Sequence, residues 1–206
     1  MLLEFENLIK QYDAQIRGVI QIGAHYGEEI PLYKKNGIDD IICFEPVPSS
    51  FEILKERSQS YATLFRLAVG NENKRVTMNI ETANSGQSNS ILKPALHLID
   101  YPDIVFNSEI EVEMVRLDDF LKIDPAKFNF LNIDVQGYEL EVLKGAEKTL
   151  RGIDYILCEV NRDAVYHGCP MVEEIDEYLK QFNFLRVETT WAGDTWGDAF
   201  YVKVKH

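Results

Sequence analysis

The amino-acid sequence predicts an α/β fold with a mostly parallel sheet, helices on both faces of the sheet and an antiparallel last strand. The first observation is an alternation of short apolar runs with helical patterns, which is typical of right-handed crossovers between parallel strands. The second is that only "AGDTWG" separates the last two strand-like runs, which is too short for a parallel crossover. The third is that 206 residues without an evident linker or repeat suit one domain, residues 1–206.

The first half of the chain supplies three predicted strands and two predicted helices. The strands are "GVIQIGA", "DIICFEP" and "TLFRLAVG". The helix "GEEIPLYKKNG" closes at Gly37, and "SSFEILKERS" opens with serines that can cap a helix. Since open α/β sheets bind ligands beyond the carboxyl ends of their strands, the turn after the first strand is a candidate site.

A long irregular segment then interrupts the alternation. Residues 82–109, between "RVTMNIE" and "EVEMVRLDDFL", are rich in Asn, Ser, Gly and Pro and lack a clear period. Such segments in compact domains are usually either functional or disordered, and they often form active-site lids, so residues 82–109 are a candidate lid or acceptor loop. The remaining predicted elements are the strand "FNFLNIDV", the helix "ELEVLKGAEKTLRG", the strand "IDYILCEV", the helix "VEEIDEYLKQFN" and the strands "FLRVETTW" and "DAFYVKVK".

Composition and charge exclude several classes of partner. The chain carries 34 acidic and 21 basic residues, a formal charge of -13, which would repel nucleic acid and an anionic membrane surface. The three cysteines are far apart and form no C-x-x-C pair, which favours a reducing compartment. No segment approaches the roughly 20 apolar residues of a membrane span, and the first residues lack a basic start. We therefore expect a cytoplasmic protein with neither nucleic acid nor membrane as partner.

The turn after the first strand reads "GAHYG" and differs from a dinucleotide-binding turn. Ala24 stands where the fingerprint needs its second glycine, so the backbone is hindered from approaching a pyrophosphate. Glu45, at the end of the second strand, is placed to accept two hydrogen bonds from a ribose diol. These two features describe a site for adenosine without a diphosphate. S-adenosylmethionine is the common cofactor of that kind.

Several stretches in the same order resemble the FkbM family of S-adenosylmethionine-dependent methyltransferases. The stretches are "VIQIGAHYGEEIPLY", "ICFEPVPSSFEILKE", "LAVGNENKRVTM", "SNSIL", "VRLDDFL" and, most distinctively, "FNFLNIDVQGYELEVLKGAEKTL". The resemblance implies a Rossmann-like, seven-stranded methyltransferase fold. It also implies O-methylation of a hydroxyl, with a sugar or glycan as the preferred acceptor class.

The resemblance further implies which residues bind the cofactor. Gly23, Ala24 and Gly27 would form the loop around its methionine part, Glu45 would hold the ribose, and Ala68 and Val69 would lie against the adenine. The family usually has an acidic residue at the position of Gln21 and an asparagine at the position of His25. Gln21 can accept a hydrogen bond from the cofactor's ammonium group, His25 would contact the cofactor through its backbone, and Ser90 in "SNSIL" would order over it.

Methyl transfer to a hydroxyl also needs a group that takes a proton. Asp134 ends the fourth buried strand and Glu159 the fifth, so both carboxylates should lie at the ligand-binding edge. His167 lies in the loop after the fifth strand, and its ordinary pKa suits a base near neutral pH. Alternatively, Asp134 caps a turn and Glu159 is structural. No ligand spacing supports a metal site, so we expect none.

Two other functions are compatible with a cofactor-binding α/β domain. A nicotinamide-dependent oxidoreductase is disfavoured because Ala24 replaces the second glycine of its fingerprint. A cofactor-binding module without catalysis is suggested by the missing acid at Gln21. Comparing the binding of S-adenosylmethionine with that of NAD distinguishes a methyltransferase from the oxidoreductase. Product formation distinguishes a methyltransferase from the non-catalytic module.

Overall fold

A computed structural model describes residues 2–58 and 60–204. In chain order the elements are α1 (Phe5–Gln11), β1 (Gly18–Ile22), α2 (Ile30–Lys35), β2 (Asp40–Phe44), α3 (Pro48–Ser58), β3 (Thr63–Phe65), β4 (Ala68–Val69), β5 (Lys74–Glu81), α4 (His97–Asp100), β6 (Phe106–Val115), α5 (Leu117–Phe120), β7 (Phe130–Ile133), α6 (Glu139–Lys144), α7 (Glu147–Leu150), β8 (Tyr155–Asn161), α8 (Val172–Lys180), β9 (Phe184–Ala192) and β10 (Trp196–Lys203).

The main sheet has seven strands in the order β3-β2-β1-β7-β8-β10-β9. The five neighbouring strands β3, β2, β1, β7 and β8 pair in parallel, whereas β10 runs antiparallel to both β8 and β9. The predicted mostly parallel sheet with an antiparallel last strand is therefore confirmed. The strand order reverses at β1, so the carboxyl ends of β1, β2 and β7 meet at a switch point.

Helices cover both faces because the strands alternate apolar side chains between two cores. Ile20 and Ile22 of β1 point to one face, where Leu143 of α6 and Ile175 of α8 pack with them. Val19 belongs to the opposite core, which contains residues of the first three helices, namely Phe5, Leu8, Ile30, Tyr33 and Leu54. This arrangement confirms the prediction of helices on both faces.

Two predicted elements are divided in the structure. The third predicted strand, "TLFRLAVG", breaks at exposed Arg66: β3 pairs with β2, while β4 leaves the main sheet and pairs with β6. The predicted helix "ELEVLKGAEKTLRG" divides into α6 and α7 at Gly145. A Cβ on Gly145 would lie 1.9 Å from the carbonyl oxygen of Gly70, so this position requires glycine for close backbone packing.

The irregular segment lies beside a small second sheet with strand order β4-β6-β5. Its predicted end, residues 106–109, belongs to β6, and the segment contains the short helix α4. Ser90 bridges to Asn79 of β5, and Pro94 bridges to Tyr166 in the loop after β8. These contacts hold the segment against the carboxyl edge of the main sheet, while its movement as a lid stays a prediction.

No helix within the described ranges is long and apolar enough to cross a membrane.

Candidate active site

A cavity of about 540 Å³ opens at the carboxyl edge of the main sheet, between β1, β2, β7, β8 and the irregular segment. Most of the predicted site residues line it. The lining includes Gln21, Gly23, Ala24, His25, Glu45, Ala68, Val69, Asp134 and Glu159. The structure thus brings together residues that are up to 138 positions apart in the sequence, from 21 to 159.

The glycine turn lies directly against the end of β7. The amides of Gly23 and Ala24 donate hydrogen bonds to the carbonyl oxygen of Phe44, at 3.0 and 2.9 Å. Gly23 has φ +80°, and a Cβ there would lie 1.7 Å from the carbonyl oxygen of Asp134. A side chain at this position is therefore excluded both by backbone conformation and by space. Because residue 23 is glycine, the turn after β1 can pack against the backbone at the end of β7, and together they form the floor of the cavity.

Gln21 presents an unsatisfied acceptor at this floor. Its Nε2 donates a hydrogen bond to Oε2 of Glu29, at 2.8 Å. Its Oε1 is buried and has no hydrogen-bond partner among the described residues. Because a buried unpaired acceptor is costly, a ligand that donates a hydrogen bond here gains affinity. An ammonium group is such a donor.

Glu45 is a buried carboxylate at the end of β2. Its Oε2 accepts from the amide of His25 at 2.9 Å, and its Oε1 accepts from the amide of Val47 at 2.8 Å. Each oxygen keeps a second lone pair for a further donor. Burial raises the pKa of Glu45 to about 7, despite the two backbone hydrogen bonds. A ribose diol, which supplies two O–H donors, would favour the charged form.

Beyond Glu45 the cavity wall becomes apolar. Ala68 and Val69 of β4 are buried and line the cavity together with Val47, Leu67 and Met78. An apolar wall next to a diol-binding carboxylate suits the flat ring of adenine. β4 reaches this position because it leaves the main sheet after β3.

Asp134 and Glu159 are joined by the side-chain amide of Gln136. Its Nε2 donates to Oδ1 of Asp134 at 2.8 Å and to Oε2 of Glu159 at 2.7 Å. Glu159 is 5% exposed, whereas Asp134 presents accessible surface to the cavity. Burial and the neighbouring carboxylates raise the pKa of Glu159 well above its usual range. Partial desolvation inside the cavity, together with Asp198, raises the pKa of Asp134. The more deeply buried Glu159 is the better holder of a proton, which leaves Asp134 as the charged member of the pair.

Asp198 was missed by the sequence reasoning, although it lies in the same cluster. It faces Glu159 across the antiparallel pairing of β8 and β10. Its carboxylate accepts hydrogen bonds from the backbone amides of Leu2 and Leu3. A signal was present in the sequence, since "WGDAFYV" has one acid within an otherwise apolar strand. Only the strand pairing shows that this acid faces the cavity.

Aromatic side chains form the outer part of the cavity. Trp196 donates a hydrogen bond from Nε1 to the hydroxyl of Tyr101, at 2.9 Å, and both residues line the cavity. His97 of α4 lies beside Tyr101, with ring centroids 5.2 Å apart. Burial lowers the pKa of His97, which favours the neutral ring. This part of the cavity has room for an acceptor next to the carboxylates.

The irregular segment is tied to the site at two points. Ser90 Oγ donates to the carbonyl oxygen of Gln136 at 2.6 Å, and the Tyr166 hydroxyl lies 3.1 Å from the carbonyl oxygen of Ser88. At the other end of the cavity, His25 Nε2 lies 2.9 Å from the carbonyl oxygen of Ser85. The segment is thereby attached both to the glycine turn and to the turn after β7.

Three predicted site residues do not line the cavity. His167 is exposed and lies outside the cavity wall, where its amide donates to the carbonyl oxygen of Lys93. The structure therefore does not bring His167 to the carboxylates, because the loop after β8 turns the side chain towards solvent. Gly27 has φ +77° and packs against Leu54, so it contributes to the shape of the turn on the side away from the cavity. Ser90 acts on the site through its hydrogen bond to Gln136.

Glu139 supports the turn after β7 from below. Its Oε1 accepts from the amides of Val135 and Gly137, both at 3.1 Å. It is fully buried and does not line the cavity.

Among the described residues, no group of three or more His, Cys, Asp and Glu side chains is arranged to hold a metal ion.

The fold and the cavity together define a Rossmann-like methyltransferase with a seven-stranded sheet. The family model described as the methyltransferase FkbM domain matches residues 21–186. Because this match covers most of the chain, the chain belongs to the FkbM methyltransferase family.

A curated relative and several solved structures are similar to this chain. The 2-O-methyltransferase NoeI of Sinorhizobium fredii is 28% identical over 153 residues, 70% of this chain. The chain spans 63% of NoeI's length. Magnesium protoporphyrin IX methyltransferase from Synechocystis has a TM-score of 0.54 at 10% identity, covering 97% of this chain and 77% of that one.

The 1,6-didemethyltoxoflavin-N1-methyltransferase from Burkholderia thailandensis also has a similar fold. Its TM-score is 0.53 at 11% identity, covering 96% of this chain and 76% of that one. At these identities the two solved structures show a shared fold alone.

S-adenosylmethionine is the cofactor of the FkbM methyltransferase family, to which this chain belongs. When bound, it supplies a methyl group on a sulfonium, ready for displacement. The residues present fit this molecule. Gln21 Oε1, which has no partner in the described part of the chain, suits its ammonium group, and Glu45 suits its ribose. The apolar wall at Ala68 and Val69 would lie against its adenine.

Proposed function

We propose that this protein transfers a methyl group to a hydroxyl oxygen, and that the hydroxyl belongs to a sugar or glycan. The observation that carries the proposal is the pair of carboxylates, Asp134 and Glu159, held by one amide at the cavity floor. A hydroxyl loses a proton on methylation, so it needs a base within hydrogen-bonding reach. Both carboxylates line the cavity, and Asp134 is the more exposed of the two.

The environment of Asp134 adjusts its basicity. A carboxylate of ordinary pKa is a weak base at neutral pH, and the raised pKa of Asp134 brings it closer to the operating pH. The Gln136 amide is fully used, because its Oε1 lies 2.9 Å from the Tyr166 hydroxyl while its Nε2 donates to both carboxylates. Gln136 therefore fixes the direction of Asp134 towards the acceptor.

The outer cavity and the similarity to NoeI support a sugar or glycan as the acceptor. Carboxylates accept hydrogen bonds from hydroxyls, and the Tyr101 and Trp196 rings provide apolar surface for the C–H face of a sugar. NoeI is a 2-O-methyltransferase, which supports oxygen as the methylated atom. The shared fold of an N1-methyltransferase makes nitrogen the alternative target.

Mass spectrometry of the products tests this function. The purified protein is incubated with S-adenosylmethionine and a panel of free sugars and short glycans, each matched with an amino-sugar of the same ring. A methylated hydroxyl that appears only with wild-type protein and cofactor is the expected result, with Asp134→Asn as the inactive control. Methylation confined to amines would overturn the oxygen assignment. Tight cofactor binding without product from any acceptor would favour a non-catalytic module, and turnover with NAD would favour an oxidoreductase.

A cytoplasmic location is the second part of the proposal. Cys43, Cys158 and Cys169 are all free and buried, which suits a reducing compartment. Cell fractionation with an antibody to the protein tests the location.

A further inference from the structure

The cofactor end of the cavity contains an acidic residue that the resemblance does not assign. Glu29 precedes α2, lines the cavity and accepts the hydrogen bond from Nε2 of Gln21 at 2.8 Å. It is eight positions after Gln21 in the chain, and the glycine turn brings the two side chains together. The carboxylate that is missing from position 21 is therefore present next to it.

The contact between Gln21 and Glu29 decides how the glutamine amide is oriented. A glutamine side chain has a donor end and an acceptor end that are similar in shape, so its orientation depends on its partners. A carboxylate of Glu29 only accepts hydrogen bonds, and it must face the NH₂ group. Oε1 of Gln21 is thereby directed away from Glu29, and it is this atom that lacks a partner among the described residues.

The charge of Glu29 also reaches the rest of the site. Glu29 and Asp134 both line the cavity, and the charge of Glu29 contributes to raising the pKa of Asp134. A cation placed between them would be attracted by both. The methionine part of the cofactor carries such a cation in its ammonium group.

We propose that Glu29 is the positioning residue for the amino-acid end of the cofactor: it directs Oε1 of Gln21 towards the ammonium group and supplies the negative charge that position 21 lacks. This role of Glu29 concerns the cofactor alone and does not depend on which acceptor is methylated.

Calorimetry with two ligands tests the proposal without any measurement of turnover. S-adenosylhomocysteine carries the ammonium group, whereas 5′-methylthioadenosine shares its nucleoside and sulfur but lacks the amino-acid end. Glu29→Gln removes the charge and gives Gln21 a neighbour that can also donate. This substitution should weaken the binding of S-adenosylhomocysteine by about tenfold or more, which is the range for hydrogen bonds with charged groups. Binding of 5′-methylthioadenosine should change by less than about twofold, which is within the scatter expected of distant contacts.

A second variant moves the charge instead of removing it. Gln21→Glu combined with Glu29→Gln places the carboxylate on β1 and leaves an amide on α2, so it should restore S-adenosylhomocysteine binding to near the wild-type value. Glu52→Gln is the matched control, since Glu52 lies exposed on α3, outside the cavity lining, and forms an ion pair with Lys55 at 4.0 Å. Thermal unfolding of each variant reports whether the fold is intact.

The outcomes separate the possible roles of Glu29. Equal weakening of both ligands would mean that Glu29 only supports the fold of the turn, and unchanged binding of both would mean that it has no role; either result overturns the proposal. Failure of the double variant to recover binding would also contradict it, because the charge would then not be transferable. If the wild-type protein bound neither ligand, the cofactor assignment itself would be wrong, whatever Glu29 does.

Discussion

Replacing Glu45 with Gln changes the charge of one buried group that contacts two backbone amides. The carboxylate accepts from His25 and Val47, and its remaining lone pairs face the cavity. Glutamine has the same size but only one acceptor oxygen, so one backbone amide or one ribose hydroxyl loses its partner. We expect cofactor affinity to fall by about 1.5–3 kcal/mol, which is about ten- to 150-fold.

The effect on stability is smaller because two contributions oppose each other. The difference between the usual pKa of 4.5 and about 7 corresponds to about 3 kcal/mol against the charged form in the folded protein. Above pH 7 the Glu45→Gln variant avoids that cost, but it leaves a buried amide unpaired at a cost of about 1–3 kcal/mol. The free energy of unfolding at pH 8 should therefore change little while affinity falls.

The raised pKa also predicts a pH dependence with a definite sign. Folded Glu45 keeps its proton up to about pH 7, whereas the unfolded chain loses it near 4.5, so this group lowers stability as pH rises between those values. Ribose hydroxyls favour the charged carboxylate, so cofactor affinity should rise by about tenfold from pH 6 to pH 8, and binding at pH 6 should release a proton from Glu45.

Calorimetry in buffers of different ionisation enthalpy measures both affinity and proton release. Glu45→Gln provides the reference for the ligand's own titration, and Glu52→Gln controls for a loss of charge on the neighbouring helix. Denaturant unfolding at pH 8 checks the expected small change in stability. The proposed role of Glu45 is refuted if the folded Glu45→Gln variant binds S-adenosylhomocysteine as tightly as wild type, or if both proteins show the same proton release.

Three further predictions concern the base, the glycine turn and the irregular segment. Asp134→Asn should lower turnover by roughly 10²-fold or more with little change in the cofactor dissociation constant, measured on the same preparation; near-normal turnover would exclude Asp134 as the base. Gly23→Ala should abolish cofactor binding, because its Cβ would overlap the carbonyl oxygen of Asp134, whereas Gly37→Ala, also at positive φ but with no atom within 4 Å, should bind normally. If calorimetry showed a similar loss of cofactor affinity in both variants, backbone strain alone would explain the effect. Amide hydrogen exchange in residues 82–109 should slow when cofactor and acceptor bind, and equal exchange in free and bound protein would remove the lid from the mechanism.

The sequence predicted the mostly parallel main sheet, and it predicted a glycine turn and an acidic residue that the structure places at one cavity. Buried parallel strands are nearly continuous apolar runs, and the glycine turn after β1 has a recognisable spacing to Glu45. Both signals depend on residues close in the chain. The same local reasoning placed Asp134 and Glu159 at strand ends. In the structure Asp134 directly follows β7, Glu159 lies two residues before the end of β8, and both line the cavity.

Only the tertiary structure decided which other side chains complete the site. Asp198 faces Glu159 because β10 is antiparallel and in one particular register, and that register is set by packing across the whole sheet. Gln136 joins the two carboxylates because the turn after β7 adopts φ +56° at that residue, supported from below by Glu139. His167, which has the right chemistry, is directed into solvent by the course of its loop.

The division of "TLFRLAVG" has the same physical origin. Its residues have one continuous strand pattern, but β2 offers pairing only as far as Phe65, and β6, more than 40 residues further along the chain, offers the next partner for Ala68 and Val69. Local pattern determines that a segment is extended and apolar. Which strand it pairs with, and therefore which cavity wall it forms, depends on distant residues that meet only in the folded chain.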